Sequence, residues 1–305
     1  MPMSDNARGA IYMNIAMLAF TLNDTCMKAV SETLPLFQAI ALRGVFSTVA
    51  LATLAIVTGA LVMPRGRALA SLSLRTLAEI GGTVFFLGAL TQMPLANLSA
   101  IMQSMPLAVT LAAAVFFRER VSPAQLAAIL IGMGGVLLII RPGTDGFDIW
   151  AVMGLASVAC VVVRDLSTRA MPASLPSVIV AVFAAAAVAL TGLVVTLVRG
   201  WQPVSLHELA LVVGAAIFLV VGYLSVVKMM RVGSIAAIAP FRYTALIWAL
   251  LLGWMLFGTF PDHLTLIGAG IVVATGLFTL YHGGRQGRIA AVPPESRLKG
   301  ARAGR

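Results

Sequence analysis

The sequence predicts an all-α integral membrane protein of ten transmembrane helices, arranged as two inverted five-helix repeats around a central cavity. Three observations point there. First, 60% of the 305 residues are hydrophobic and only 10% charged, with a mean hydropathy of +1.00. A soluble domain is roughly half apolar and about a quarter charged. Second, the apolar residues fall into ten runs, each near the roughly 20 residues a helix needs to cross a bilayer core. Third, the second half of the chain repeats features of the first at a nearly constant offset.

The runs are 8–28, 36–62, 76–95, 98–117, 123–140, 149–170, 176–198, 206–228, 233–257 and 264–282. They are apolar on every face rather than alternating, so they are read as helices and not as barrel strands, because a helix satisfies its own backbone hydrogen bonds. Residues 1–7 form an N-terminal segment, 8–140 a first five-helix repeat, 149–282 a second, and 283–305 a basic tail expected to be disordered near anionic lipid headgroups. The first run carries Asn23 and Asp24 and has no small-residue cleavage site after it, so it is taken as a membrane helix and not as a signal peptide.

The net charge of +10 is explained by position rather than by nucleic acid, and no nucleic-acid partner is expected. With the N-terminus in the cytoplasm, Arg8, Arg65, Arg67, Arg75, Arg118, Arg120, Arg169, Lys228, Arg231 and the basic residues from Arg285 to Arg305 fall on the inner side. Only Lys28, Arg141 and Arg199 fall outside, while Arg43, Arg164 and Arg242 lie within helices. This asymmetry is the positive-inside rule, and it predicts a multi-pass protein of the inner (plasma) membrane with both termini cytoplasmic.

At an offset of 141, Asp24 falls on Asp165, Lys28 on Arg169 and Pro35 on Pro176, so NDTCMKA faces RDLSTRA. At 140, Phe117 falls on Phe257, and Gln103 and Ser104 fall on Tyr243 and Thr244. An odd number of spans per half turns the second copy over in the membrane. Inverted repeats of this kind characterise secondary transporters, whose ligand site lies near the midplane between the halves.

The stretches FFRERVSPAQLAAILIGMGGVLLIIRPG and FRYTALIWALLLGWMLFGTFPDHLTLIGAGIVVATG resemble the ends of the two repeats of the EamA family, in the drug/metabolite transporter superfamily. The resemblance covers about residues 9 to 282. It implies a ten-helix carrier of a small organic solute with a cavity between the halves. One departure is Thr259, which stands where the family pattern has a Glu at the end of the ninth helix.

A charge near the bilayer centre costs about 2.5–3.5 kcal/mol, so each one needs a partner or an aqueous cavity. Arg242 lies about 13 Å along the ninth span at 1.5 Å per residue, and its permanent charge suits a carboxylate, phosphate or carbonyl-rich ring. Tyr243, Trp248 and Gln103 are candidates to shape the same substrate site. Asp24 and Arg43, on neighbouring helices, are expected to meet as a structural lock or a proton-coupling pair, and Asp165 to pair locally with Arg164. Pro106 and Pro240 are candidate gating points. Asn14 and Ser225 are expected to make interhelical hydrogen bonds. Glu119 is expected at the membrane surface, with Ser122 and Pro123 opening the next helix. Ala128-x-x-x-Gly132 and Gly270-x-x-x-Ala274 mark close packing or a homodimer face through helices 5 and 10.

Cys26 and Cys160 lie within helices, and His207, His263 and His282 have no metal-ligand spacing. No metal or cofactor is expected. No G-x-x-x-x-G-K-[ST] motif is present to bind a nucleotide. The function these features imply is non-ATP, alternating-access transport of a small organic metabolite, for which an amino acid, a purine-related compound or a vitamin such as riboflavin are candidates. A proton or an antiported solute is the candidate coupling partner, and the lipid bilayer the surroundings. The alternatives are a lipid-modifying membrane enzyme, for which no clustered histidine or paired-carboxylate constellation exists, and a non-transporting scaffold or sensor.

Overall fold

A computed structural model describes residues 4–60, 62–118, 121–141, 149–172, 175–230, 232 and 238–290, the side chains of 67 and 283–290 excepted. The helices are α1 (Asp5–Val30), α2 (Leu36–Val57), α3 (Arg67–Gln92), α4 (Leu95–Met102), α5 (Met105–Phe116), α6 (Pro123–Ile140), α7 (Ile149–Arg169), α8 (Ser177–Arg199) and α9 (Leu206–Met230). A 3-10 turn at Ala239–Tyr243 leads into α10 (Thr244–Phe257), and α11 (His263–Ala290) ends the described chain. Joining α4 to α5 and the 3-10 turn to α10 gives the ten expected spans. Nine of these are long and apolar enough to cross a membrane. The exception, α1, has 26 residues, but Asn14, Asn23, Asp24 and Lys28 lower its hydropathy.

Local chemistry sets the helix ends. Ser4 caps α1 by accepting from Ala7 N. Ser122 and Gln125 form a reciprocal capping box, with Pro123 in the first turn of α6, which leaves two otherwise unpaired backbone donors satisfied. Pro35 and Pro176, matched at the 141 offset, each immediately precede a helix. Three ends differ most from the sequence reading. The second span's helix stops at Val57 rather than at residue 62, the third begins at Arg67 rather than at residue 76, and the last helix runs on to Ala290. Glu119, Arg120, Arg231, residues 233–237 of the ninth span and the tail from 291 onward lie outside the described residues.

The dominant helix pairs are α1 with α9, α2 with α8, α3 with α7 and α6 with α11. In span numbers these are one with eight, two with seven, three with six and five with ten. Exchanging every span with the one five places away returns the same list. That invariance is the two-fold relation of an inverted repeat, since five crossings per half reverse the second copy. Every one of these pairs joins the two halves, so the principal packing of the molecule lies between the repeats. The core runs through Leu87, Leu90, Leu95, Leu98, Ile101, Leu107, Ile129 and Val136.

The seam between α6 and α11 uses small residues for close approach. A Cβ on Gly135 would stand 2.9 Å from Gly268 O, so the two backbones touch. Ala128 and Gly132 are buried in this seam, whereas Gly270 and Ala274 face outward. The small-residue face of the fifth span is therefore used within the chain.

Candidate functional site

The fourth and ninth spans are both interrupted at the positions the 140 offset pairs. Gln103 and Ser104 separate α4 from α5, and the 3-10 turn gives way to α10 at Tyr243–Thr244. Pro106 and Pro240 each sit in the first turn of the segment they open, where a missing N–H costs nothing. Gln103 is buried at its break, and its side chain makes no hydrogen bond among the described residues. Such breaks are tolerated at membrane depth where they line protein or a cavity.

Arg242 is half-buried, and its Nη2 points to Met105 Sδ at 3.9 Å, halfway along the fourth span. No carboxylate forms an ion pair with it among the described residues; Asp165 and Arg164 are the charges it senses. They belong to a larger group on α3, α7 and α9. Arg75 Nη2 lies 3.4 Å from Glu79 Oε2, Arg164 Nη1 lies 3.6 Å from Glu79 Oε1, and Arg164 Nη2 lies 2.9 Å from Asp165 Oδ1. Arg75 Nε also donates to Thr168 Oγ1 at 3.1 Å. The expected local pairing of Asp165 with Arg164 is the one present.

Three guanidiniums and two carboxylates leave this group with an excess positive charge. The side chains of Arg75, Glu79, Arg164 and Asp165 keep 15%, 24%, 26% and 30% of their surface accessible, although they belong to helices packed between the halves. Arg75 Nη1, Glu79 Oε2 and Tyr223 Oη are buried without a hydrogen-bond partner. Unsatisfied donors and acceptors beside accessible charges are what a polar ligand would satisfy. Glu79 and the inward position of Arg75 were not foreseen, because a span drawn from residue 76 left Arg75 at the surface. The i,i+4 spacing of Arg and Glu within an otherwise apolar helix was the available signal.

Asp24 and Arg43 meet through an intermediary. Arg43 Nη1 donates to Asn23 Oδ1 at 3.3 Å, and Asn23 Nδ2 donates to Asp24 Oδ1 at 2.8 Å. Arg43 is buried with Nε unpartnered. All three residues belong to the first half. Lys28 donates to Leu90 O and Met93 O, at 2.8 Å each, and so caps the end of α3.

Two residues expected at the substrate site, Trp248 and Tyr243, make interhelical contacts. Trp248 Nε1 donates to Asn14 Oδ1 at 2.8 Å, which ties α10 to α1 and accounts for Asn14 as an interhelical link. Tyr243 is buried against Gly276 of α11, where any side chain would collide with its hydroxyl. Its Oη has no hydrogen-bond partner. No group of His, Cys, Asp and Glu able to hold a metal occurs among the described residues.

Comparison with known proteins agrees with this architecture. Residues 7–141 match the family described as the EamA-like transporter family. The pseudopaline exporter CntI of Pseudomonas aeruginosa is 25% identical over 275 residues, covering 87% of this chain and 93% of the relative. An S-adenosylmethionine uptake transporter of Rickettsia conorii is 23% identical, covering 88% and 90%. A riboflavin transporter of Vibrio cholerae is 24% identical, covering 67% and 69%. A solved crystal structure, 22% identical, superposes with a TM-score of 0.61 over 88% of this chain and 95% of its own, and so shares the fold. The family match covers residues 7–141, while the ten-span frame extends over both halves.

Proposed function

We propose that this chain is a secondary carrier that moves a small organic metabolite bearing negative charge across the inner membrane, by rocking one five-helix half against the other. The observation that carries this reading is the positively charged, partly accessible polar group at the seam of two inverted halves. Relatives named as a pseudopaline exporter, an S-adenosylmethionine uptake transporter and a riboflavin transporter favour transport over lipid chemistry or a scaffold role. They differ in solute and direction, so the substrate of this chain stays within the wider class of amino acids, purine-related compounds and vitamins.

In this reading Arg242 is the anchor. It is held at mid-depth beside a soft thioether rather than a carboxylate, so its charge is available to a ligand. Gln103 presents its amide at the matching break in the other half, and Arg75 adds a second donor. The prolines at the two breaks, Pro106 and Pro240, are the points about which short segments tilt. Asn23, Asp24 and Arg43 form the lock that holds α1 to α2. The arginine-rich end of the bundle, where α1 begins, faces the cytoplasm.

The test is ligand-dependent thermal stabilisation of the purified protein against a metabolite library, followed by uptake of each hit into proteoliposomes. Arg242→Ala should weaken binding by about 10- to 100-fold, the loss of one charge-assisted contact of about 1.5–3 kcal/mol. Ligands that bind the variant as tightly as the wild type would remove Arg242 from the site.

A further inference from the structure

We infer that the seam of α2 and α8 is a binding site for an anionic phospholipid, whose phosphate rests on Arg199 while one acyl chain lies in an apolar groove deeper along the same two helices. Two cavities fall in line on this seam. At its Pro35 end, a cavity of about 390 Å³ is lined by Phe37 of the first half and by Arg199 and Gln202 of the second. A second, of about 250 Å³, is bounded by Val45, Val49, Ala186, Ala189, Leu190 and Leu193. From Arg199 back to Leu190 is about 13 Å along α8 at 1.5 Å per residue. The groove therefore lies within the hydrocarbon depth that an acyl chain reaches when its headgroup sits at Arg199.

The groove follows from how the two helices pack. A Cβ on Gly44 would stand 2.7 Å from Ala189 Cβ, and one on Gly192 would stand 2.7 Å from both Phe37 O and Ala41 N. The backbones thus approach closely along the seam. Ala186 and Ala189 add little bulk beside that contact, while Val45, Val49 and Leu190 stand exposed around it. Thr48, the polar residue lining the groove, donates its hydroxyl to Gly44 O at 2.6 Å. What the groove offers is therefore apolar contact, and its place on two membrane spans suits a hydrocarbon chain.

The headgroup end carries a cation without a counter-ion. Lys28, Arg141 and Arg199 all lie at this end of the bundle. Lys28 donates to Leu90 O and Met93 O, and Arg141 pairs with Asp262. Arg199 pairs with no carboxylate among the described residues; it is exposed and stands over the Phe37 ring, 5.5 Å from the centroid. Nearby acids are engaged elsewhere. Glu32 acts on Lys28, and Glu208 accepts from Ser205 N and Oγ at 2.7 and 2.8 Å. The Gln38 side chain holds Gln202 N and O at 3.0 and 2.8 Å, which fixes the loop after Arg199 across the seam. An arginine in a helix's last turn meets the partial negative charge of that terminus. A guanidinium at membrane-surface depth also matches a phosphate, two N–H groups to two oxygens. Trp201, close by in the chain and 48% exposed, marks that depth, since tryptophan rings gather at headgroup level.

The test reads lipid association at the seam itself. The full chain carrying Cys26→Ser, Cys160→Ser and Val194→Cys is labelled with bimane at the new thiol. It is reconstituted in phosphatidylcholine vesicles holding small, rising fractions of doxyl-chain phosphatidylglycerol or doxyl-chain phosphatidylcholine. Val194 is exposed, next to Leu193 of the groove; a control chain carries the bimane on Leu137→Cys, exposed one turn before the paired Arg141. Quenching at Val194 should show phosphatidylglycerol associating about fivefold more strongly than phosphatidylcholine, the effect of one arginine on an anionic lipid. Leu137 should show no preference. Arg199→Gln should abolish the preference at Val194 and Arg199→Lys should keep part of it, while Ala186→Phe, which fills the groove, should weaken quenching by both lipids. If Ala186→Phe fails to fold, the Arg199 variants, at an exposed position, still decide. No preference at Val194, the same preference at both probes, or a folded Arg199→Gln or Ala186→Phe chain that behaves as the wild type overturns the inference. So does displacement of phosphatidylglycerol by glycerol phosphate in the buffer, which would assign Arg199 to a soluble anion. A Val194 probe that neither lipid quenches, beside a quenched Leu137 probe, would assign the face to a second copy of the chain and overturn it equally.

Discussion

The Asn23–Asp24–Arg43 triad and the Arg75–Glu79–Arg164–Asp165–Arg242 group contain the two acids that the repeat matches, Asp24 and Asp165, yet they do different work. In each, the acid takes a hydrogen bond from the residue just before it, Asn23 or Arg164. Replacing that neutral amide by a guanidinium changes the outcome. Asn23 passes the interaction to Arg43 within one half, whereas Arg164 reaches across to Glu79 on the other half and stays partly exposed. Inverted repeats thus share a backbone frame while the chemistry set into it diverges, with a chain of hydrogen bonds inside one half on one side and an ion-pair group across the halves on the other.

The comparison can be broken first by removing its two central arginines. Arg43→Ala deletes a buried cation and leaves Asn23 and Asp24 without their partner, so it should cost about 3 kcal/mol of stability and lower the thermal midpoint in detergent sharply. Arg242→Ala removes a half-buried cation that pairs with no carboxylate among the described residues and should change that midpoint little, while abolishing most ligand-induced stabilisation. Equal stability losses from the two would erase the distinction between lock and site.

A smaller effect sharpens the boundary of the site. Trp248→Phe deletes the hydrogen bond to Asn14, which in membranes is worth about 0.6 kcal/mol on average, and should leave ligand affinity unchanged in the same thermal assay. An affinity loss approaching that of Arg242→Ala would return Trp248 to the cavity wall. The smallest effect belongs to the exposed link between the halves. The hydrogen bond from Arg141, with one from Thr265 N, lowers the Asp262 carboxyl from 3.8 to about 2. A depressed acid stabilises the fold above its unfolded value, and that contribution disappears as the pH falls from about 4 to about 2. Asp262→Asn should therefore lower the neutral-pH midpoint slightly, as expected for an exposed pair, and remove the shallow acid-side slope in stability.

Much of this frame is legible in the residues. Apolar runs near membrane length mark the spans, and the matched Pro35 and Pro176 mark the same helix start in both halves. The 140 offset pairs Gln103–Ser104 with Tyr243–Thr244, and both spans are interrupted there. What escapes is side-chain direction. Tyr243 and Arg242 are adjacent in sequence, but the 3-10 turn sends one onto Gly276 and the other toward Met105, which no periodicity argument resolves. Glu79 escapes for a different reason. A span drawn from residue 76 excludes Arg75 and leaves Glu79 in its first turn, yet Arg75 and Glu79 lie about 12 and 18 Å into α3 at 1.5 Å per residue, facing charges of the other half that compensate them. Asn23 as intermediary depends on an interhelical distance that sequence spacing does not contain.

The central claim, that the two halves rock about a shared polar seam, is tested most directly by spin-label distances at both ends of the bundle in liposomes. One pair would join Leu74 to Ala170, at the arginine-rich end, and the other Glu32 to Trp201, at the opposite end; each pair joins the two halves, and all four residues are exposed. A bound ligand should lengthen one distance while shortening the other. Distances that stay fixed, or that lengthen and shorten together, would contradict alternating access.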